Sequence, residues 1–374
     1  MPTEQLLAVG TAALLTCDDV LEVDPRHPAA HPGFQLQVSV TDDLVTSADV
    51  RIGLMHRSAE KLFESRDLRQ AMLLADRHDW MSSFSSEVTV ALAAERALGM
   101  LPPERATWTR MALLEVERIG ALLPFLAPVA GASRPAVESL RERIVLAMES
   151  ITGSRMHPTF TRIGGVAAPV TDDDRTLVRE LLGDVESAFP AVAADVAAQT
   201  DGLAGLAVLD ATTALGCGLG GPVGRASGVA RDLRRDEPYL AYEELSDLMD
   251  VPVHEAGDSR ARYAALLDQV PLSVRLARAS FDRLDSLGDG PTDVPLPKVV
   301  RLPEGMTYAA VEGPIGIAGC LLVGAGDKYP WRMKIRSASF ATMSAMGAAL
   351  VGVPVVALAD AVMSFAVVMG DADR

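Results

Sequence analysis

Between His27 and Trp80 the chain crowds ionisable side chains into apolar sequence. A His27-Pro28-Ala29-Ala30-His31 turn, His56-Arg57, Glu60-Lys61, Asp76-Arg77 and Asp79-Trp80 lie beside the runs Ile52-Gly53-Leu54-Met55 and Ala71-Met72-Leu73-Leu74. Burying charge is costly unless it is paired, so a chain that only had to fold would seldom mix these residues so closely. The interval reads as a polar site built inside a core, and any fold open to this chain must assemble it.

With 374 residues, 49% of them hydrophobic, the chain can bury two or three cooperating cores. A formal charge of −16 repels phosphate backbones, which argues against nucleic acid as a partner. Cys17, Cys217 and Cys320 stand far apart with no Cys-x-x-Cys spacing, which speaks against a disulfide framework and against a thiolate-held metal or cluster, and for a reducing cytoplasm. Met1 to Val9 carries no lysine or arginine, and the run Leu6 to Leu15 ends in Thr16-Cys17-Asp18-Asp19, unlike a signal peptide. The longest apolar stretch, Ala345 to Ala359, is broken by Gly347, Gly352 and Pro354 and falls short of the about 20 residues a membrane span needs, so it reads as buried core. A protein docked on a membrane complex would equally lack a span, and that contact stays open.

Phe34, Leu36, Val38 and Val40 alternate with polar residues, then Asp42-Asp43 supplies a turn before Leu44 to Ile52, predicting a small N-terminal antiparallel sheet. Ala112, Val116, Ile119, Leu123 and Leu126 form one stripe of a helix from Glu104 to Leu126, started by Pro102-Pro103. Further helices are expected over Ser58 to Ala75, Phe84 to Leu98, Ala136 to Ser150, Asp172 to Thr200 with a bend near Pro190, and Arg260 to Leu287. Glycine loops interrupt at Gly164-Gly165 and Gly216 to Gly228. The class is α+β, mainly α: a β-rich region over 1–56, a central helical bundle over 57–290, and a linker (Pro291 to Pro303) leading to an α+β unit with strand-like runs and one helix, 291–374, the three forming one integrated domain.

Several motifs carry less than they suggest. Gly216 to Gly221 fits Gly-x-Gly-x-x-Gly, yet no strand precedes it and Pro222 follows where a helix should begin, so it reads as a loop for close packing. His27 and His31 have a helical metal spacing that Pro25, Pro28 and Pro32 forbid. No Gly-x-Ser-x-Gly occurs, and Ser82, Ser83, Ser85 and Ser86 suit helix capping. Taken singly, Arg57, Glu60 and Lys61 read as an ion-paired helix start, and Arg155 and Arg162 as structural cations.

The order of the whole set, however, resembles the 49-kDa-type (D-type) subunit of respiratory complex I, the NADH:quinone oxidoreductase. The resemblance covers nearly the full chain and is carried by Asp24-Pro25-Arg26-His27-Pro28-Ala29-Ala30-His31, Ile52 to Arg57, Glu60-Lys61-Leu62, Asp76-Arg77-His78-Asp79, Arg155-Met156-His157, Arg162-Ile163-Gly164-Gly165, Arg225 to Val229, Asp236-Glu237-Pro238-Tyr239 and the closing Met369-Gly370-Asp371-Ala372-Asp373-Arg374. It implies the fold of the nickel-iron hydrogenase large subunit without its two Cys-x-x-Cys pairs, the emptied metal cavity taking the quinone head group.

By the same resemblance, His31 and Trp80 hydrogen-bond the quinone carbonyls, Trp80 standing where the family has a tyrosine. Reducing a quinone consumes two electrons and two protons, and histidine titrates near neutrality, whereas an indole N–H donates a hydrogen bond without giving up its proton. Gly131-Ala132 stands where the family carries an aspartate that connects to the histidine. Arg57 and His157 match residues close to a terminal iron-sulfur cluster held by a neighbouring small subunit, where a guanidinium stabilises the reduced state and a histidine couples protonation to reduction. His27, His56, Asp76, Arg77 and Asp79 support the site, Asp76, Arg77 and Asp79 by arginine pairing that holds a helix carrying Trp80. Tyr329 to Arg336, alternating basic and apolar residues, packs and pairs charges.

The chain itself is expected to hold no cofactor or metal and to be inactive alone. Its implied partners are the cluster-bearing small subunit, a C-type subunit of the same enzyme and a membrane subunit at the quinone channel, on the cytoplasmic face of the membrane as a peripheral part of an NAD-linked translocase. Two alternatives stand beside this: a paralogue that keeps fold and assembly with altered quinone reduction, and a hydrogenase-like metalloenzyme.

Overall fold

The computed structural model describes residues 5–10, 17–24, 27–31 and 33–374. The signal-peptide reading, which rests largely on 1–4 and 11–16, and the helix-breaking roles of Pro25 and Pro32 lie outside the described residues.

The alternation around Phe34 produces a hairpin. β1 (Gln5–Gly10) and β2 (Asp19–Leu21) join β3 (Gln35–Thr41) and β4 (Leu44–Arg51) in the order β2-β1-β3-β4. The sheet is antiparallel except at its edge, where β2 runs parallel to β1. Asp42 and Asp43 both take positive φ, 51° and 62°, as a two-residue hairpin turn requires, and Leu36, Val38 and Val40 point into the core.

The expected helix over Ser58 to Ala75 is two helices, α1 (Ala59–Phe63) and α2 (Leu68–Ala75), because Asp67 starts a new one: its carboxylate accepts the Gln70 amide at 3.0 Å while the Gln70 side chain takes the Asp67 amide. α3 (Ser83–Leu98) and α4 (Glu104–Leu126) follow, then α5 (Arg134–Thr152), a small ribbon of β5 (Thr161–Arg162) and β6 (Gly165–Val166), and α6 (Asp172–Thr200), unbroken across Pro190. α4 is more than an amphipathic stripe. It is buried on all sides, including Trp108, Leu113, Leu122 and Phe125, and lies along α10 (Ser259–Leu287) with α3, α5 and α6 around them.

Because α4 is enclosed, its charges must find partners inside. Glu115 meets Arg118 and Arg234, Arg234 meets Asp232, and Arg225 meets Asp232 and Glu312, all buried; the hydroxyls of Tyr242 and Ser273 add hydrogen bonds to Glu115 at 2.5 and 2.6 Å. Three carboxylates thus face three guanidinium groups, the balance that lets such a cluster stay charged.

Short helices α7 (Ala211–Gly216), α8 (Gly221–Ala226) and α9 (Leu233–Asp236) precede α10. Pro222 lies in the first turn of α8, where its missing N–H costs nothing, so proline there begins a helix rather than forbidding one. The strand a dinucleotide motif needs is replaced by α7, and Gly221, at φ +60°, lets the loop approach Gly316, whose Cα would lie 2.5 Å from any added Cβ.

The C-terminal residues form a three-stranded sheet, β7 (Gly305–Gly313), β8 (Gly316–Gly324) and β9 (Arg332–Arg336), then α11 (Ala338–Leu350), α12 (Val355–Met363) and α13 (Met369–Ala372), more helix than expected. The apolar stretch at Ala345 to Ala359 turns at Gly352 and restarts at Pro354; most of it is buried, but Val356 is 92% exposed. No described helix is long and apolar enough to cross a membrane. α11 lies on β4, so Leu36 and Val38 share a core with Met346, Leu350 and Phe365, and Trp80 packs between that core and the bundle.

Candidate functional site

His27 and His31 flank a single turn of 3-10 helix, Pro28–Ala30, and each closes its own end of it. Nδ1 of His27 accepts the Ala29 amide and Nδ1 of His31 the Gly33 amide, both at 3.0 Å, which leaves the hydrogen on Nε2 in each neutral ring. Burial holds His27 neutral, lowering its pKa to about 3 against the opposing charge of Asp24, with its ring edge-on to Phe125 at 5.4 Å. The His31 ring lies 5.2 Å from that of Trp80 at 39°.

Trp80 sits in the loop between α2 and α3 rather than on a helix, and the arginine pairing expected to fix it is only partly formed. Arg77 reaches Asp76 at 3.0 Å, but Asp79 has no arginine partner among the described residues: it accepts the Met81 and Ser82 amides at 3.2 Å and the Ser82 hydroxyl. The other support is Gly370, where any Cβ would collide with the Trp80 ring and the His78 carbonyl. Trp80 so becomes a wall between two cavities. One, about 310 Å³, is lined by Met55, Arg57, Arg77, His78, Gly370 and Arg374 as well. The other, about 150 Å³, is lined further by Met81, Glu117, Arg141, Met148 and Met156, and Met81 and Arg141 also border a third, of about 380 Å³, beside Pro28.

The loop carrying His56 and Arg57 is bolted to the chain's last residues. The Asp373 carboxylate accepts the amides of Gly53 and Met55 at 2.6 and 2.7 Å, and Nδ1 of His56 lies 2.9 Å from the Asp373 carbonyl. Asp371 takes the Ser339 amide at 2.8 Å at the start of α11. Glu60 and Lys61 are ion-paired as expected, Glu60 with Arg332 and Lys61 with Glu64, but Arg57 has no ion pair among the described residues and stands exposed at the first cavity. Arg332 and the Ile335 amide on Glu60 give β9 the charge-pairing role expected of it. Arg155 pairs with Glu142 and Glu149. His157 approaches from another side, its Nδ1 3.1 Å from the Asp76 carbonyl and 3.6 Å from its carboxylate.

Serine capping of α3 is replaced by acid. Ser82 makes no cap bond; instead Glu117, from α4, accepts the amides of Phe84 and Ser85 at 2.6 and 2.9 Å and the Ser85 hydroxyl at 2.9 Å. Glu87 takes the amides of Phe160 and Thr161. Burial pushes these acids up, Asp79 to about 7 with the charge of Asp371 added, and Glu87 and Glu117 to about 8, despite the donors they hold. Burial also raises Asp76, against Arg77 and His157. No group of three His, Cys, Asp or Glu among the described residues is placed to hold a metal ion.

Of the residues singled out in the sequence, His31, Trp80, Arg57, Arg77 and His56 are brought around Trp80 and the loop beside it, with His27, Asp76, Asp79 and His157 behind. Gly370, Asp373, Met55 and Glu117 were missed as site residues; the only signal for the first two was a closing tail that mixes charge into an apolar run.

The model of the family described as respiratory-chain NADH dehydrogenase, 49 Kd subunit, matches residues 136–301 and 296–374. The chain is 45% identical to a D-type subunit of the NADH-quinone oxidoreductase of Salinispora tropica, over 98% of this chain and 97% of that protein, and 43% identical to a D-type subunit of the same enzyme from Streptomyces coelicolor, over 100% and 99%. A chain in the structure of the membrane-bound sulfane sulfur reductase, an archaeal respiratory membrane complex, superposes with a TM-score of 0.85 at 28% identity, covering 94% of this chain and 96% of that one.

Proposed function

Because the chain belongs to the 49-kDa subunit family of respiratory-chain NADH dehydrogenases and is a subunit of an NADH-quinone oxidoreductase, we propose that it forms the quinone head-group site of that complex, beside the terminal iron-sulfur cluster of a neighbouring subunit. The observation that carries the reading is the His31 ring lying 5.2 Å from the ring of Trp80, which itself borders two cavities. His31 offers an Nε2–H to one quinone oxygen, and the Trp80 indole, which makes no hydrogen bond among the described residues, offers its N–H to the other.

Arg57, without an ion pair at the first cavity, is suited to offset the negative charge of a reduced cluster, and His157, anchored on Asp76, to take up a proton as the cluster is reduced. Leu62 and Met156, 43% and 52% exposed, line these cavities, and Leu54 and Leu73, 45% and 50% exposed, adjoin lining residues in sequence, apolar area that a docked cluster-bearing subunit covers. A C-type subunit and a membrane subunit complete the assembly, and the chain works as a peripheral subunit on the cytoplasmic face. Replacing His31 by alanine in the purified complex should lower NADH:quinone reduction about a hundredfold while NADH still reduces an artificial acceptor that draws electrons upstream; full quinone reduction would refute the reading.

The altered-paralogue reading is favoured by Trp80 itself, since the indole supplies no proton. The structural neighbour belongs to a sulfane sulfur reductase, so the acceptor is tested with both quinone and polysulfide.

A further inference from the structure

We propose that Glu117 is the proton donor on the tryptophan side of the site, a carboxylic acid that delivers its proton, through the cavity it shares with Trp80, to the reduced quinone ring. This rests on the quinone reading above.

Two protons must reach the quinone oxygens, and the ring pair accounts for only one donor able to release its proton, His31. Glu117 stands on the far side of the indole, lining the cavity of about 150 Å³ between Trp80, Met81 and Met148. It is partly accessible although it lies deep in the fold on α4, and that access is through this cavity. Burial, with Asp79 nearby, lifts its pKa to about 8, so near neutrality it carries the proton.

The groups that face it set both states. From the loop and α3 come Asp79, Ser83, Ser85 and Glu87, whose acids favour the neutral form. From α5 comes Arg141, which has no ion pair among the described residues, and next to it Arg155, already held by Glu142 and Glu149. Once the proton leaves, the amides of Phe84 and Ser85 and the Ser85 hydroxyl hold the carboxylate, with Arg141 on the same cavity wall.

The step balances. Two electrons pass to the quinone one at a time, the iron-sulfur centre of the neighbouring subunit being reduced again between them. One ring oxygen gains the proton from the imidazolium form of His31, which returns to the neutral ring whose Nδ1 accepts the Gly33 amide, the other gains it as the Glu117 O–H bond breaks, and Glu117 is reprotonated from water at the cavity mouth, where Arg155 and Met156 are exposed.

The test uses the purified complex. The wild-type kcat should fall as pH rises through about 8, because the acid form is the active one. Glu117→Gln should lower kcat about a hundredfold with little change in KM and abolish that limb, and Glu117→Asp should keep it. Adding Trp80→Tyr to Glu117→Gln should restore at least tenfold, since a phenol can release a proton, and a purely structural role would not be rescued so. Infrared difference spectra of the wild type on quinone reduction should show loss of a protonated carboxyl band. Unchanged kcat and limb in Glu117→Gln would overturn the proposal, as would wild-type spectra without that band should the variant fail to assemble. If His31→Ala is slow while Glu117→Gln is unchanged, Glu117 alone is refuted; if His31→Ala keeps full quinone reduction, the site reading itself fails.

Discussion

Trp80 is held by contact rather than by charge. His31 lies against one side of it, Gly370 leaves the space that its ring and the His78 carbonyl occupy, and Asp79 fixes the turn that follows. A single methyl is therefore enough to displace it: Gly370→Ala should raise the KM for quinone about tenfold and destabilise the chain by about 1–3 kcal/mol, measured by steady-state kinetics and melting of the purified complex. Unchanged values would mean that the ring's position is not critical. His31, Arg57 and Trp80 were singled out through the resemblance of their motifs to a family, and the structure brings Trp80 against the His31 ring and onto the cavity that Arg57 lines. Gly370 and Glu117 were not legible, since each meets the site only after folding brings in a residue hundreds of positions away or a neighbouring helix, and nothing in their local sequence distinguishes them.

At the scale of elements, the loop from Gly53 to Arg57 has no helix or strand of its own and takes its shape from Asp373. Asp373→Asn should free it: hydrogen exchange at Gly53 and Met55 should rise at least tenfold and quinone reduction should fall, with α4 and α10 unaffected. Protection equal to wild type would show that the tail does not hold the loop. Helix bounds were read well where the physics is local. Pro102-Pro103 starts α4, and the capping pair Thr171 and Asp174 starts α6. The reading failed where one residue had two uses: Asp67 ends one helical run by starting another, and Pro222 opens α8. Serines before α3 looked like caps, yet acids from Asp79 and α4 took those amides, a choice set by tertiary packing.

Over the whole molecule, buried titratable groups pull stability in opposite directions with pH. Asp79, Glu87 and Glu117 have folded pKa values of about 7, 8 and 8, above their unfolded values, so the stability they allow is complete below pH about 4 and is lost as pH rises through 7 to 8. For Glu115, burial is outweighed by Arg118 and Arg234, which hold it at about 2, and its contribution is lost only as pH falls toward that value; His27, neutral down to about 3, adds loss below 6.5. The melting temperature should thus fall from pH 5 to 8, and Glu87→Gln should flatten that fall; a flat or rising wild-type curve would contradict it. The α+β class, mainly helical, was legible from period and length, and the balanced ion cluster inside the bundle was not, because its members come from α4, α8, α9 and β7.

Whether quinone sits between His31 and Trp80 is answered by a photoreactive quinone analogue, bound to the purified complex and mapped by mass spectrometry. Labels are expected on the segments around His31, Trp80 and Gly370, displaced by excess quinone; displaceable labelling confined to other segments or other subunits would place the head group elsewhere and refute the site.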